Sequence, residues 1–153
     1  MIIREAELRD TEVIAGFNVE LAAETEDLKL DSDIVADGVA ALLRDRFKGI
    51  YFLAEIEGEV VGQIMITYEW SDWRNANLWW LQSVFVRGDC RGRGVFAALF
   101  RHVESLARQS PGVCGIRLYM HQDNGRARSA YEKLGMHQTK YQVFELEFRA
   151  QLA

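Results

Sequence analysis

Two different periods meet in one stretch of this chain. From Leu78 to Val86 almost every position is apolar, aromatic or β-branched, the pattern of a strand covered on both faces. From Val95 the apolar positions fall on a helical stripe, Val95, Phe96, Leu99, Val103 and Leu106. Between the two, Gly88 to Gly94 holds three glycines and two arginines. Strand, loop and helix together predict an anion cradle. Small glycines let backbone N–H groups approach a phosphate, and the positive end of the helix attracts it.

The same reading orders the rest of the chain. Ile2–Glu5 reads as a short strand, and Asp10 caps a helix carrying Val13, Ile14, Phe17 and Leu21. The acidic run 23–31 reads as a loop. A second helix starts near Ser32, with Val35, Val39, Leu42, Leu43 and Phe47 on its stripe and Gly49 as its stop. Residues 51–56 and 59–68 are strands joined by a tight turn at Glu57-Gly58, and 69–77 is a polar, aromatic connection into the central strand. After the helix of 94–109 come a turn at Ser110-Pro111-Gly112, a strand at 115–120, and a short helix with Ala127, Ala130, Tyr131 and Leu134 on one face, stopped by Gly135. Alternation over Lys140–Phe148 predicts a last strand. The order β-α-α-β-β-β-α-β-α-β is mixed α/β, hairpins first and crossovers after.

Composition narrows the function classes. At 153 residues a single domain spanning 1–153 is expected. The net charge of −5 and an isoelectric point near 5.2 argue against a nucleic-acid surface and suit a cationic substrate. No apolar run approaches the roughly 18 residues of a membrane span, and the charged N-terminus is not a secretory signal. Cys90 and Cys114 form no recognisable framework, as expected of reduced thiols in a cytoplasmic protein. The scattered His102, His121 and His137 give no reason to expect a metal.

The loop's spacing excludes two phosphate binders. Gly92-Arg93-Gly94-Val95-Phe96-Ala97 lacks the third glycine of the dinucleotide fingerprint, and no Gly-Lys-Ser/Thr follows for a P-loop. What the chain does resemble, over nearly its whole length, is the GNAT superfamily of N-acetyltransferases. The family's [RQ]xxGx[GA] signature corresponds to Arg91-Gly92-Arg93-Gly94-Val95-Phe96, and its NxxAxxxYxxxGF signature to Asn124, Ala127, Tyr131, Gly135 and Met136. Three positions depart from the family: Phe96 replaces a small residue, Gly88 a common proline, and Met136 a phenylalanine.

The resemblance implies acetyl-CoA as co-substrate and a sheet splayed beside the central strand to admit it. The N–H groups of Gly92, Arg93, Gly94, Val95, Phe96 and Ala97 would bind the pyrophosphate, helped by the Arg91 and Arg93 side chains. The pantetheine arm would pair with Val84 and Val86 as an added strand. An N–H near Val84 or Phe85 would polarise the thioester carbonyl. Tyr131 stands where the family often places its general acid, and Asn124 would bind the pantetheine arm, unless it is only a helix cap. The base stays open. Related polyamine acetyltransferases carry a carboxylate where this chain has Gln82, so Glu69 and Asp72 are the next candidates for base or amine binding. Glu24, Glu26 and Asp27 are candidates to line the same mouth. Trp70, Trp73, Trp79 and Trp80 read either as core plus a homodimer surface or as an aromatic wall for the acceptor. The implied activity is direct acetyl transfer to a small primary amine. A peptide acceptor and a non-catalytic acyl-CoA sensor are the alternatives.

Overall fold

The structure, a computed structural model, describes residues 1–148. Its chain divides into two compact units, Met1–Leu118 and the residues from Tyr119 onward. The first holds β1 (Ile2–Glu5), α1 (Thr11–Glu26), α2 (Ser32–Leu43), β2 (Ile50–Ile56), β3 (Glu59–Ser71), β4 (Ala76–Val86), α3 (Val95–Gln109) and β5 (Val113–Arg117).

One five-stranded sheet runs in the order β1-β2-β3-β4-β5. The first four strands pair antiparallel, and β5 joins β4 in parallel after the α3 crossover. Helices cover both faces. Tyr51 and Leu53 of β2 cluster with Ile14 and Ala15 of α1 and Val39 of α2. Phe52, which points the other way, meets the His102 ring of α3 edge-on with centroids 5.2 Å apart. Val95, Leu99, Phe100, Val103 and Ala107 form the buried stripe of α3.

Hairpin turns follow local chemistry. Glu57 (φ 54°) and Gly58 (φ 85°) both take positive φ, the signature of the two-residue turn whose twist matches its strands. Near the N-terminus, Asp10 does not cap α1 through its side chain. Its carboxylate instead receives both Arg4 guanidine nitrogens at 2.8 Å, fixing β1 to the head of α1.

Several boundaries depart from the sequence reading. Helix α1 continues through 23–26 and ends at Asp27, a left-handed C-cap (φ 53°), so only 27–31 is loop. Helix α2 stops at Leu43, and Phe47 is exposed rather than on its stripe. Residues 69–71 and 76–77 extend the β3–β4 hairpin instead of connecting it, with Glu69 opposite Leu78 and Trp70 opposite Asn77.

The second unit contains α4 (Gly125–Lys133), ended by a positive φ at Gly135. The strand expected over Lys140–Phe148 is absent: the segment is irregular, and Tyr141, Val143, Phe144, Leu146 and Phe148 are all exposed. Alternation gives a strand a face to bury, but the strand itself exists only through ladder bonds to a neighbour. No ladder in the described residues includes this segment.

Candidate active site

The central strand β4 has two unequal edges. Toward β3 it is paired along its length, from Ser71–Ala76 to Gly62–Val86. Toward β5 pairing stops at Trp80–Arg117, so Leu81 to Val86 have no β5 partner. This is the splay expected beside the central strand. Within the released segment, Gln63 faces Phe85 and Met65 faces Gln82, so Ser83 and Val84 both lie opposite Ile64. That is a β-bulge, and Ser83 takes a left-handed φ of 48° to make it.

The strand leads into the glycine-arginine loop. Gly92 (φ 78°) and Gly94 (φ 80°) occupy the left-handed region, yet a Cβ at either would meet nothing within 4 Å. Backbone conformation, not crowding, therefore calls for glycine at both positions. Gly94 is the N-cap of α3, and no side chain caps that end. The first N–H groups of α3, at Val95, Phe96 and Ala97, lie beyond the reach of intrahelical acceptors. Phe96 is accommodated on the helix, 6.2 Å ring to ring from Phe100.

The arginines are placed differently from one another. Arg91 donates from Nε to the Val86 carbonyl (2.8 Å) and from Nη2 to Glu24 (2.6 Å), and its guanidinium lies 5.5 Å from the centre of the Phe85 ring. It ties the strand end to the last turns of α1. Arg93 reaches to 3.9 Å from the buried Cys90 sulfur. Arg87 is committed to Glu59 and Asp89.

On the α1 face of the sheet, a polar group lies just before the bulge. Gln82 donates to Thr67 (2.6 Å). Glu69 receives the Trp80 indole N–H (2.6 Å) and Arg117 (3.1 and 3.2 Å) on its two oxygens. The structure thus places Glu69 and Gln82 on one face of the sheet, in two separate hydrogen-bonded sets, Gln82 with Thr67 and Glu69 with Trp80 and Arg117. Asp72 stays apart, exposed in the β3–β4 turn where it accepts from the Trp73 N–H (3.0 Å). Glu26 and Asp27 are exposed at the end of α1. Trp70 and Trp73 are exposed, while Trp79 and Trp80 are half-buried, so the four tryptophans do not form one cluster.

In the second unit, Asn124 caps α4 by accepting the Ala127 N–H at 3.0 Å. Tyr131 is partly buried, and burial pushes its phenol above the ordinary tyrosine value, so it stays a proton donor at neutral pH. Among the described residues no group of His, Cys, Asp and Glu gathers closely enough to hold a metal ion.

Two sets of polar residues escape a sequence reading. Arg117 is the last residue of β5 and belongs to no motif. Asn18, Tyr51, Gln63 and Ser83 come from four different elements and meet only in the fold. The one local signal is a glutamine inside an otherwise apolar strand, GQIMI.

Comparison with known proteins agrees with this geometry. The model of the acetyltransferase (GNAT) family matches residues 12–136. A possible acetyltransferase from Clostridium difficile 630 superposes with a TM-score of 0.91, at 43% identity and with 97% of each chain covered. A predicted acetyltransferase from Clostridium acetobutylicum, solved with acetyl-CoA, shares the fold at 14% identity (TM-score 0.77, 95% of each chain). So does ribosomal-protein-alanine N-acetyltransferase from Brucella melitensis biovar Abortus 2308, at 20% identity (TM-score 0.73, 97% of this chain and 100% of that one). No curated protein matches the chain.

Proposed function

Since the chain belongs to the acetyltransferase (GNAT) family, we propose that it moves an acetyl group from acetyl-CoA to the primary amine of a small molecule, by direct attack in a ternary complex. The observation that carries this reading is the released edge of β4 running straight into an uncapped helix N-terminus through two left-handed glycines. An edge of unpaired backbone suits an extended amide arm, and convergent N–H groups suit a pyrophosphate. The match over residues 12–136 spans the two compact units, which supports one catalytic domain.

Acetyl-CoA supplies a thioester whose acyl carbon accepts the amine nitrogen while the carbon–sulfur bond breaks. Gly92 to Ala97 hold the pyrophosphate through their N–H groups. Arg93 adds charge from the loop, and Arg91 adds it on exchanging its present partners. Val84 and Val86 pair with the pantetheine arm, and the Val84 or Phe85 N–H steadies the negative charge that builds on the acyl oxygen. Tyr131, which burial keeps protonated at neutral pH, gives its proton to the departing sulfur. Asn124 is assigned to the pantetheine arm.

Glu69 belongs to the acceptor side in this reading, with Gln82 beside it. Both its oxygens already accept hydrogen bonds, an arrangement suited to attracting and orienting an ammonium. A water then carries the amine's proton away. Asp72, Glu26 and Asp27 add negative charge that draws a cationic acceptor, as does the net charge of the chain.

Thiol release from acetyl-CoA against a panel of amines, amino acids and peptides tests the proposal. Turnover with small amines is the expected result. Turnover with peptides alone moves the acceptor to the protein class, and tight CoA binding without thiol release points to a sensor. In Tyr131→Phe, kcat should fall by about tenfold or more with CoA affinity nearly unchanged. An unchanged kcat refutes the acid assignment.

A further inference from the structure

The left-handed residue of the bulge is not a glycine, and four elements converge on it. Gln63 of β3 is fully buried, and its Nε2 donates to the Ser83 carbonyl (3.1 Å) and to Asn18 Oδ1 of α1 (2.7 Å). Asn18 Nδ2 donates in turn to the Tyr51 hydroxyl of β2 (3.0 Å). Tyr51, also buried, is held above its ordinary pKa by burial. The bonds form a chain, from the Ser83 carbonyl through Gln63 and Asn18 to Tyr51. Gln63 Oε1, buried as well, has no hydrogen-bond partner among the described residues.

Such a chain is costly to bury, and its orphaned oxygen makes it a poor device for stability alone. A left-handed non-glycine residue is costly too, of order 1–2 kcal/mol, and persists only where its surroundings enforce it. Both costs are met at one place, where Gln63 touches Ser83, and Ser83 sets the direction of the N–H groups that follow it along β4.

We propose that Gln63, supported by Asn18 and Tyr51, is a positioning residue for acetyl transfer. By holding Ser83 left-handed it aims the N–H that follows, that of Val84 or Phe85, at the thioester oxygen. The proposal rests on the reading of β4 as the acyl-CoA edge. It separates two contributions of that edge. The loop and Val86 bind the cofactor whether or not the bulge is held, whereas an oxyanion donor counts only when the charge develops.

The test is Gln63→Met, which keeps the length of the side chain and removes its donors. With kcat, CoA dissociation constant and backbone amide spectra measured on the full chain, kcat should fall between about tenfold and a hundredfold. CoA affinity should stay within about threefold, since its main contacts are elsewhere. The Val84 and Phe85 amide resonances should move in the free protein while those of β1 stay. Tyr51→Phe removes a single hydroxyl and should reproduce the amide shift with a smaller loss of kcat, which guards against a Gln63 variant that does not fold. A kcat within twofold of wild type in both variants overturns the inference. So does a parallel loss of kcat and CoA affinity with shifts across the whole sheet, the mark of a merely structural role. Wild-type protein that binds no CoA overturns the functional reading instead. The Val84 and Phe85 shifts still report whether Gln63 holds the bulge.

Discussion

Replacing Gly62 by alanine probes the opposite face of the same strand. Gly62 lies opposite Val86, where a Cβ would come to 3.0 Å from Val95 Cγ1, 3.1 Å from the Phe85 carbonyl oxygen and 3.4 Å from Val86 Cγ2. Neither close neighbour yields easily. Val95 is buried under the first turn of α3, and the carbonyl belongs to the backbone just past the bulge. Overpacking of this kind costs about 1–3 kcal/mol. For a chain of this size each kcal/mol moves the melting temperature by about 2–4 °C, so Gly62→Ala should melt about 2–12 °C lower. The same chemical change at Gly16, on the exposed side of α1 with nothing within 4 Å, supplies the control. There alanine gains helix propensity and should stabilise by about 0.5–1 kcal/mol. Thermal unfolding of the three proteins in one buffer reads both signs. If Gly62→Ala melts at or above wild type while Gly16→Ala behaves as stated, the contact argument is wrong. Because the displaced groups are the Phe85 carbonyl and the foot of α3, acetyl-CoA turnover should fall together with stability.

Two further outcomes follow from particular contacts. Arg4 and the backbone N–H of Glu7 hold the Asp10 carboxyl below the usual carboxylate range. Its stabilisation is therefore present above the unfolded value near 3.9 and lost as pH falls through the lower folded one. Asp10→Asn should cost about 2–3 kcal/mol at neutral pH, below the full price of breaking a buried pair because Arg4 keeps Glu55, and should flatten the acid limb of a stability–pH curve. Gly94→Ala meets open space but must adopt a φ of 80°, so it should lose about 1–2 kcal/mol of stability and weaken CoA binding in titration calorimetry. Asparagine at 94 should be tolerated better than alanine.

The elements that the sequence makes legible are those whose own residues decide them. The β4 run, the loop and α3 each carry their pattern locally, and so does the Glu57-Gly58 turn. Misreadings arose where a partner decides. Residues 23–26 look like a loop because they are acidic, yet a solvated helix end tolerates acids, and α1 stops only where Asp27 turns left-handed. Glu69, Trp70 and Asn77 look like a connection, yet cross-strand pairing carries the hairpin through them. The tail 140–148 shows the converse, a strand-like alternation without a ladder. At the candidate site, the loop glycines were readable because their φ is a property of glycine itself. The partners of Glu69 and the chain of bonds beneath Ser83 were not, since hydrogen bonds between residues 11 to 48 positions apart leave no periodicity in the chain.

Gly62 and Gln63 are consecutive, so their side chains point to opposite faces of β3, and both act on the same few residues of β4. On the α3 face the fit is apolar and tight, and its disturbance costs packing. On the α1 face the fit is polar and incomplete, with one oxygen already unsatisfied. Met in place of Gln63 removes that oxygen but leaves the Asn18 Oδ1 and Ser83 carbonyl acceptors without their donor, and the two effects on stability oppose one another. Both Gly62→Ala and Gln63→Met should therefore slow acetyl transfer, but only the first should lower the melting temperature appreciably. A released strand edge has no neighbour to fix its geometry from the β5 side. Its shape has to be imposed from β3 and through the sheet faces, and the two adjacent variants separate how much of that work is packing and how much is hydrogen bonding. Equal melting temperatures for the two would mean that the division between the faces is wrong.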